Sequence, residues 1–443
     1  MRKLLAGLSL LFWACAPNQT SDFPPFDKAE DSFLVEKPKK SSSDFPEFAP
    51  RPVSDSLLEL KGIRPFIRVL VGEKKKTWKT PGTQRLEFFA GDPLHSGSRK
   101  ILQTSSQVVL SSCYPNVCLK SDKGSKTAQG PIWYHTREEA IKDGTTSYKG
   151  LLHVIPKKSG RLQVVNFLPL EDYVKGILPY EIGALPEWGF EALKAQAVAA
   201  RTYTLRNLEP LDGHDFDLYN DTRDQVYRGR KAQTPMTDRA VEATRGMVLT
   251  YQNTLAETYY FSTSGGTTSD ITRMWGGEKK PYLNGVKDFN SNGKSWSHES
   301  RWHRWSLDFS KTEILKTVNK NLKRLKLDKY GKIRKLKKLE VLGRTPSGRV
   351  QHLGLHTEHG LIKIRGDRTR WAFHPKKINL SILPSAHFKV KNNGSTVQIS
   401  GRGFGHGIGL CQMGARARSK AGQGFDTILT AYYPKTHIKY IPM

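Results

Sequence analysis

Acidic side chains are scarce in this chain. Its 443 residues hold 41 Asp and Glu against 71 Lys and Arg, a formal charge of +30. That imbalance argues for an acidic partner: nucleic acid, an anionic membrane or an acidic polymer. Cysteine is scarce as well. Four residues are too few for a disulfide scaffold, and their spacing offers no zinc pattern, although they suit an oxidising compartment. The apolar run at the start, Leu4 to Trp13, is too short to span a bilayer. What remains, 37% hydrophobic and 25% charged residues, is the make-up of a globular protein with room for two or three domains.

The short apolar run has a different reading. Arg2 and Lys3 precede it, and Ala14 and Cys15 follow as a small residue and a thiol where cleavage would fall, so residues 1–15 read as an export signal. Its end, Leu11 Phe12 Trp13 Ala14 Cys15, resembles a bacterial lipoprotein signal, which implies that Cys15 is acylated and becomes the mature N-terminus; the alternative is plain secretion. Ala16 behind the cysteine resembles the outer-membrane sorting class. The expectation is an exported, periplasmic protein held to the outer membrane by its lipid. Export also removes nucleic acid from the candidate partners.

Residues 16–61 are rich in Pro, Ser, Lys and Asp with no helical or strand period, and read as a disordered tether. Residues 62–165 carry short β-like runs such as Ile67 to Val71, Leu86 to Ala90 and Leu151 to Ile155, separated by turn residues, and read as a small β-rich region. Within it Cys113 and Cys118 flank a Pro-Asn turn signal and are candidates for a disulfide; the alternative is two free thiols. Cys411 is left over as a buried small residue. From 166 to 443 the texture is mixed. Asp172 or a neighbour caps a short helix, and a second helix begins near Pro186. The inner part of this helix, which runs through Phe190 to Leu205, is dominated by Ala, Leu and Val, which predicts a central, buried helix. The fold class expected is α+β: a buried Ala-rich helix among strands, preceded by the smaller β-rich region. Lys311 to Lys338 is densely basic, either a solvated face or the footprint of an acidic polymer.

Glu181 lies in Leu178 Pro179 Tyr180 Glu181 Ile182, a carboxylate among apolar neighbours. Desolvation disfavours its charged form and raises its pKa, which suits a general acid; the alternative is a helix cap or an ion-paired glutamate. Near the C-terminus, Gly401 to Ala415 places a glycine at nearly every second position around His406 and Gln412. Glycine is used where φ is positive or the backbone passes close to another group, so this run is expected to line a site.

The segments Glu171 Asp172 Tyr173 Val174, Leu178 Pro179 Tyr180 Glu181 and Glu191 through Tyr203 resemble the N-terminal signature of the stage II sporulation protein D, or amidase-enhancer, family. The glycine-rich run resembles its C-terminal signature. The likeness continues through Gln225 to Gly229, Tyr260 to Thr268, Gly348 Arg349 Val350 and Ile428 to Pro434, and covers residues 166–443. It implies a lytic transglycosylase acting on peptidoglycan glycan strands stripped of their stem peptides, with the catalytic acid at Glu181 and no cofactor. A free lactyl carboxylate on each muramic acid would make such a strand a polyanion. Arg201, able to grip a carboxylate in bidentate fashion, and Lys194 are candidates to meet it; the alternative is ion pairing with Glu171, Glu187 or Glu191. Gln196, Gln225, Ser264 with Gly265, and Gln412 offer groups suited to sugar hydroxyls and acetamido groups, and Tyr203 and Tyr227 could pack on sugar faces. His406 would orient Glu181 or stabilise developing charge, unless it is a packed structural histidine. Some family members carry Cys and His before the Gln-Val-Tyr segment and are implied to hold zinc there. Here the stretch reads Asn220 to Gln225 without either ligand, and His214, Asp215, Asp217 and Asp221 read as a solvated acidic loop, so no metal is expected. A cell-wall amidase is the further partner that the family's other name implies.

Overall fold

Strand Leu162–Pro169 runs inside a large sheet and passes directly into helix Leu170–Glu181 with no loop between them. The direction of the sheet therefore sets the direction of the helix that carries Glu181. The structure, a computed structural model, describes residues 66–441 except 83, 92, 94–97, 144–145 and 209–212. The expected signal at 1–15, Cys15 and the tether at 16–61 lie outside the described residues.

The sheet has seven strands in the order Leu218–Tyr219, Phe66–Lys75, Leu162–Pro169, Leu151–Pro156, Ile132–Thr136, Leu86–Ala90 and Arg99–Thr104. All neighbours are antiparallel except the first pair. Alternate side chains such as Ile67 and Val69, or Leu152 and Val154, are fully covered, the period of two expected of a strand with one face on a core. A four-stranded sheet, Thr77–Lys79, Val109–Cys113, Asn116–Ser121 and Gly124–Ala128, shares this core. Trp78 joins the two by donating from Nε1 to the Tyr134 hydroxyl at 2.8 Å. A disulfide links Cys113 and Cys118 across the hairpin turn.

The long helix, Phe190–Arg206, buries Ala192, Leu193 and every residue from Ala195 to Thr202. It touches helices Leu170–Glu181, Pro235–Ala243, Gln412–Lys420 and Phe425–Tyr432 and strand Met247–Tyr251. Small alanine side chains let so many elements approach one axis. The helix begins later than Pro186 suggests, after a 3₁₀ turn at Glu187–Gly189. The preceding helix starts on Pro169 with no side-chain cap; Asp172 sits in its first turn and is paired with Lys149 at 2.9 Å. One hydrophobic core runs from Ile67 to Ile441, across residue 165 without a break, so the β-rich region and the helices after it are packed as one body.

A second core, from Phe309 to Ile399, has its own strands and helices. Two three-stranded sheets, Trp305–Ser310 with Thr396–Gly401 and Phe388–Asn393, and Leu336–Arg344 with Val350–Thr357 and Gly360–Arg365, enclose it beside helices Lys311–Lys320 and Leu322–Leu325. Asn392 ties the sheets together through both backbone groups of Leu339, at 2.9 and 3.0 Å. The whole is a mixed α+β fold.

Candidate functional site

Glu181 is the last residue of its helix. It is delivered there by the sheet and held by a loop from elsewhere: the Val226 amide donates to its Oε1 at 2.8 Å. The residue keeps part of its surface open, while the atoms packed around its carboxyl drive its pKa up from 4.5 to about 7. Burial is the main cause, and hydrogen bonds from Val226 and from the Gln412 side chain pull the other way. Glu181 therefore sits at the protonation midpoint near neutral pH.

Tyrosines wall this carboxyl. Tyr173, Tyr203 and Tyr260 all have pKa values raised, first by burial and in part by the negative charge of Glu181. Gln225 locks two of them. Its Oε1 accepts from the Tyr173 hydroxyl at 3.1 Å and from Thr204 Oγ1 at 2.8 Å, and its Nε2 donates to the Tyr260 hydroxyl at 2.9 Å and to the Ala200 carbonyl at 3.2 Å. Tyr203 donates to Asp224 Oδ1 at 3.1 Å, and the Tyr219 amide takes Oδ2 of the same acid at 2.9 Å. Burial raises the pKa of Asp224 too. None of Tyr173, Tyr260 and Asp224 stands out in the sequence as a site residue, because their roles depend on partners distant along the chain.

The glycine run supplies the opposite side. Cys411 ends strand Leu410–Cys411, which pairs in parallel with Tyr260–Phe261, and helix Gln412–Lys420 starts at once. Gln412 is thereby aimed at Glu181 and at Gln196, whose Oε1 it reaches at 3.5 Å. Gly407 has φ +86°, and a Cβ there would lie 2.2 Å from Cζ of Arg349; at Gly409 it would lie 2.0 Å from the Tyr259 carbonyl. No other residue fits these two positions. Cys411 is buried, its thiol pushed up to about 12 chiefly by burial, and it accepts the amides of Ser264 and Gly414. It is an inert packing residue.

Glu181, Gln196, Tyr203, Gln225 and Gln412 are brought together; other candidates are not free to meet a substrate. Arg201 is wholly buried and grips Glu171 through Nε at 2.8 Å and Nη2 at 2.7 Å, so the ion-pair alternative holds. Lys194 pairs with Glu191 at 2.6 Å and lies over the Phe425 ring at 4.6 Å. Tyr227 is buried with its hydroxyl on Asn166 at 2.7 Å and offers no face to a sugar. Gln225, with all its groups engaged, is a brace rather than a sugar ligand. Ser264 is buried and donates to Asp288 Oδ2 at 2.6 Å, and a Cβ at Gly265 would strike the backbone of Gly403 at 2.9 Å; both join the two loops rather than face a groove. His406 accepts the Ile408 amide on Nδ1 at 3.1 Å and faces the Tyr260 carbonyl with Nε2 at 2.9 Å. Those partners require the neutral form protonated on Nε2, and burial lowers its pKa to about 4. It acts as a structural brace under Tyr260.

An open aromatic face is supplied instead by Trp275. It is 41% exposed, edge-on to Tyr259 at 4.9 Å and 5.0 Å from the His406 ring. Around residues 214–221 each acid has a basic partner: Asp217 with Arg68, Asp215 with Lys157 and Asp221 with Arg223. Among the described residues no three His, Cys, Asp or Glu side chains converge as metal ligands would.

Comparison with known proteins places this geometry. A family model described as stage II sporulation protein matches residues 158–251, which carry Glu181 and its helices, and one described as a domain of unknown function matches residues 291–409, nearly the extent of the second core. An uncharacterized protein of Brachyspira hyodysenteriae is 31% identical over 305 residues, 68% of this chain and 74% of that one. Stage II sporulation protein D of Bacillus subtilis is 32% identical over 292 residues, 62% of this chain and 76% of its own length. The amidase enhancer of Bacillus subtilis is 31% identical over 291 residues, 59% of this chain but 40% of the longer relative. With stage II sporulation protein D matched at this identity over most of both chains, the protein belongs to the stage II sporulation protein D family.

Proposed function

We propose that this protein is a peptidoglycan lytic transglycosylase in which Glu181 is general acid and then general base. The observation that carries the reading is the state of that carboxyl: held near 7 by burial and walled by tyrosines. Asp224, on the same wall, has both oxygens engaged by Tyr203 and Tyr219. Hydrolytic glycosidases need two working carboxyls; intramolecular attack needs one. Glu181 gives its proton to the glycosidic oxygen as the bond to C1 of a muramic acid breaks. The O6 hydroxyl of the same sugar closes on C1 and returns its proton to Glu181, leaving a 1,6-anhydro end. Strands stripped of stem peptides are the preferred substrate, because their free lactyl carboxylates complement a chain of charge +30. In this reading the chain works outside the cytoplasm, tethered through an acylated Cys15.

The name of the amidase enhancer relative favours a second reading, a non-catalytic glycan binder that stimulates a cell-wall amidase. One experiment separates the two. Purified protein is incubated with denuded and with intact glycan strands, and 1,6-anhydro ends are sought by mass spectrometry. A transglycosylase releases them from denuded strands unaided, and Glu181→Gln lowers the rate by about 10²–10⁴-fold. Binding without anhydro ends, or an unchanged rate in the variant, overturns the proposal.

A further inference from the structure

Among the described residues two arginines are shielded completely from solvent, Arg201 and Arg349. Arg201 has Glu171; Arg349 has no acid. Its Nη2 reaches the carbonyls of Thr267 at 3.2 Å and Ser264 at 3.4 Å, while Nε and Nη1 have no hydrogen-bond partner. The one carboxylate that bears on it, Asp367, is already paired with Arg370 at 3.3 Å. The other charges in its field, Arg370 and Arg402, are positive. His387 feels the same charge, kept neutral by burial and by Arg349, Arg402 and Arg344, with its Nδ1 also lacking a partner. Burial lowers the pKa of Arg349 only to about 10, so the guanidinium stays charged. A buried cation with unmet donors is strongly destabilising unless an opposite charge reaches it. Water would meet the N–H groups and leave the charge unanswered.

We propose that Arg349 binds a small inorganic anion of halide size, chloride under ordinary conditions, through its unpartnered N–H groups. Complete burial excludes a larger organic anion and excludes a substrate carboxylate arriving along the groove. The position gives the ion a purpose. Arg349 directly precedes strand Val350–Thr357 of the second core, whereas Ser264 and Thr267 belong to the loop that follows Tyr260 and Gly407 to the glycine run that leads into Gln412. The anion therefore fastens the second core to those loops, a role independent of which reaction the site performs.

The test is thermal melting of the full chain in rising sodium chloride or bromide against sodium gluconate at matched ionic strength. A site of this kind gives a saturable rise of about 2–4 °C with either halide and none with gluconate. Arg349→Gln removes the halide response, and Arg349→Lys, which keeps the charge but not the fork, weakens it. Should Arg349→Gln fail to fold, crystals of the parent protein grown in bromide serve in its place, with an anomalous peak in contact with Arg349 expected. Identical melting in halide and gluconate, or water alone beside Nε and Nη1, overturns the proposal.

Discussion

Glu181 titrates near 7 in the fold and near 4.5 when exposed, so its contribution to stability has a definite sign. Below about pH 4.5 the group is protonated in both states and exacts no penalty. As pH rises towards 7 the unfolded chain ionises first, and stability is lost until the folded carboxyl ionises as well. Glu181→Gln should therefore be more stable than the parent at pH 8, by about 1–3 kcal/mol once partial exposure is allowed for, and equal to it near pH 4. Urea melts at the two pH values measure this. In the proposed reaction only the protonated acid can begin cleavage, so kcat/KM should fall as pH passes 7. His406, held to about 4, is already neutral where Glu181 titrates and contributes no limb to that part of the profile. Glu181 was legible in the sequence because its apolar neighbours are adjacent along the chain. Gln225 resembles a sugar ligand in the sequence because its partners Tyr173, Thr204 and Tyr260 lie 21 to 52 residues away.

Helices Leu170–Glu181 and Phe190–Arg206 are joined in the core by Glu171 and Arg201. The guanidinium also donates to the Met247 carbonyl at 3.1 Å, so this one pair orients two helices and a strand around the site. Arg201→Met leaves a buried, unanswered carboxylate and should destabilise the fold by about 3–5 kcal/mol, whereas Arg201→Met with Glu171→Leu should recover most of that loss. Equilibrium denaturation checks both. A substrate-binding Arg201 would instead leave stability unchanged and raise KM. The long helix itself was legible, since an Ala-rich segment apolar around its circumference has to be buried. Its exact start was not, because the 3₁₀ turn at Glu187–Gly189 depends on packing rather than on a capping residue.

The charge of the whole molecule is unevenly shared. Residues 305–401 hold 22 Lys and Arg against six Asp and Glu, a net +16 of the chain's +30, and most of these side chains are exposed. Lysine dominates between 311 and 338, and no large apolar side chain there is exposed, which suits diffuse attraction to a polyanion better than insertion into a membrane. Binding of Glu181→Gln protein to denuded glycan strands should weaken steeply between 50 and 300 mM salt, roughly values spanning the screening range. Changing Lys320, Lys323, Lys326 and Lys335 to Gln should flatten that dependence, as sedimentation with insoluble glycan measures. Salt-independent binding would remove the second core from substrate capture.

The sequence by itself determined the α+β class, the buried helix and the excess of positive charge, and it offered Glu181 as a carboxylate among apolar neighbours and Cys113 with Cys118 as a candidate pair. Each follows from composition, local pattern or short spacing. Only the tertiary structure decided which polar residues are available. Arg201, Tyr227, Gln225 and Ser264 resemble ligands in isolation, and each is taken by a partner from another element. The physical reason is that a buried polar group must find its hydrogen bonds inside the fold, and which of its neighbours provides them is fixed only when distant segments meet.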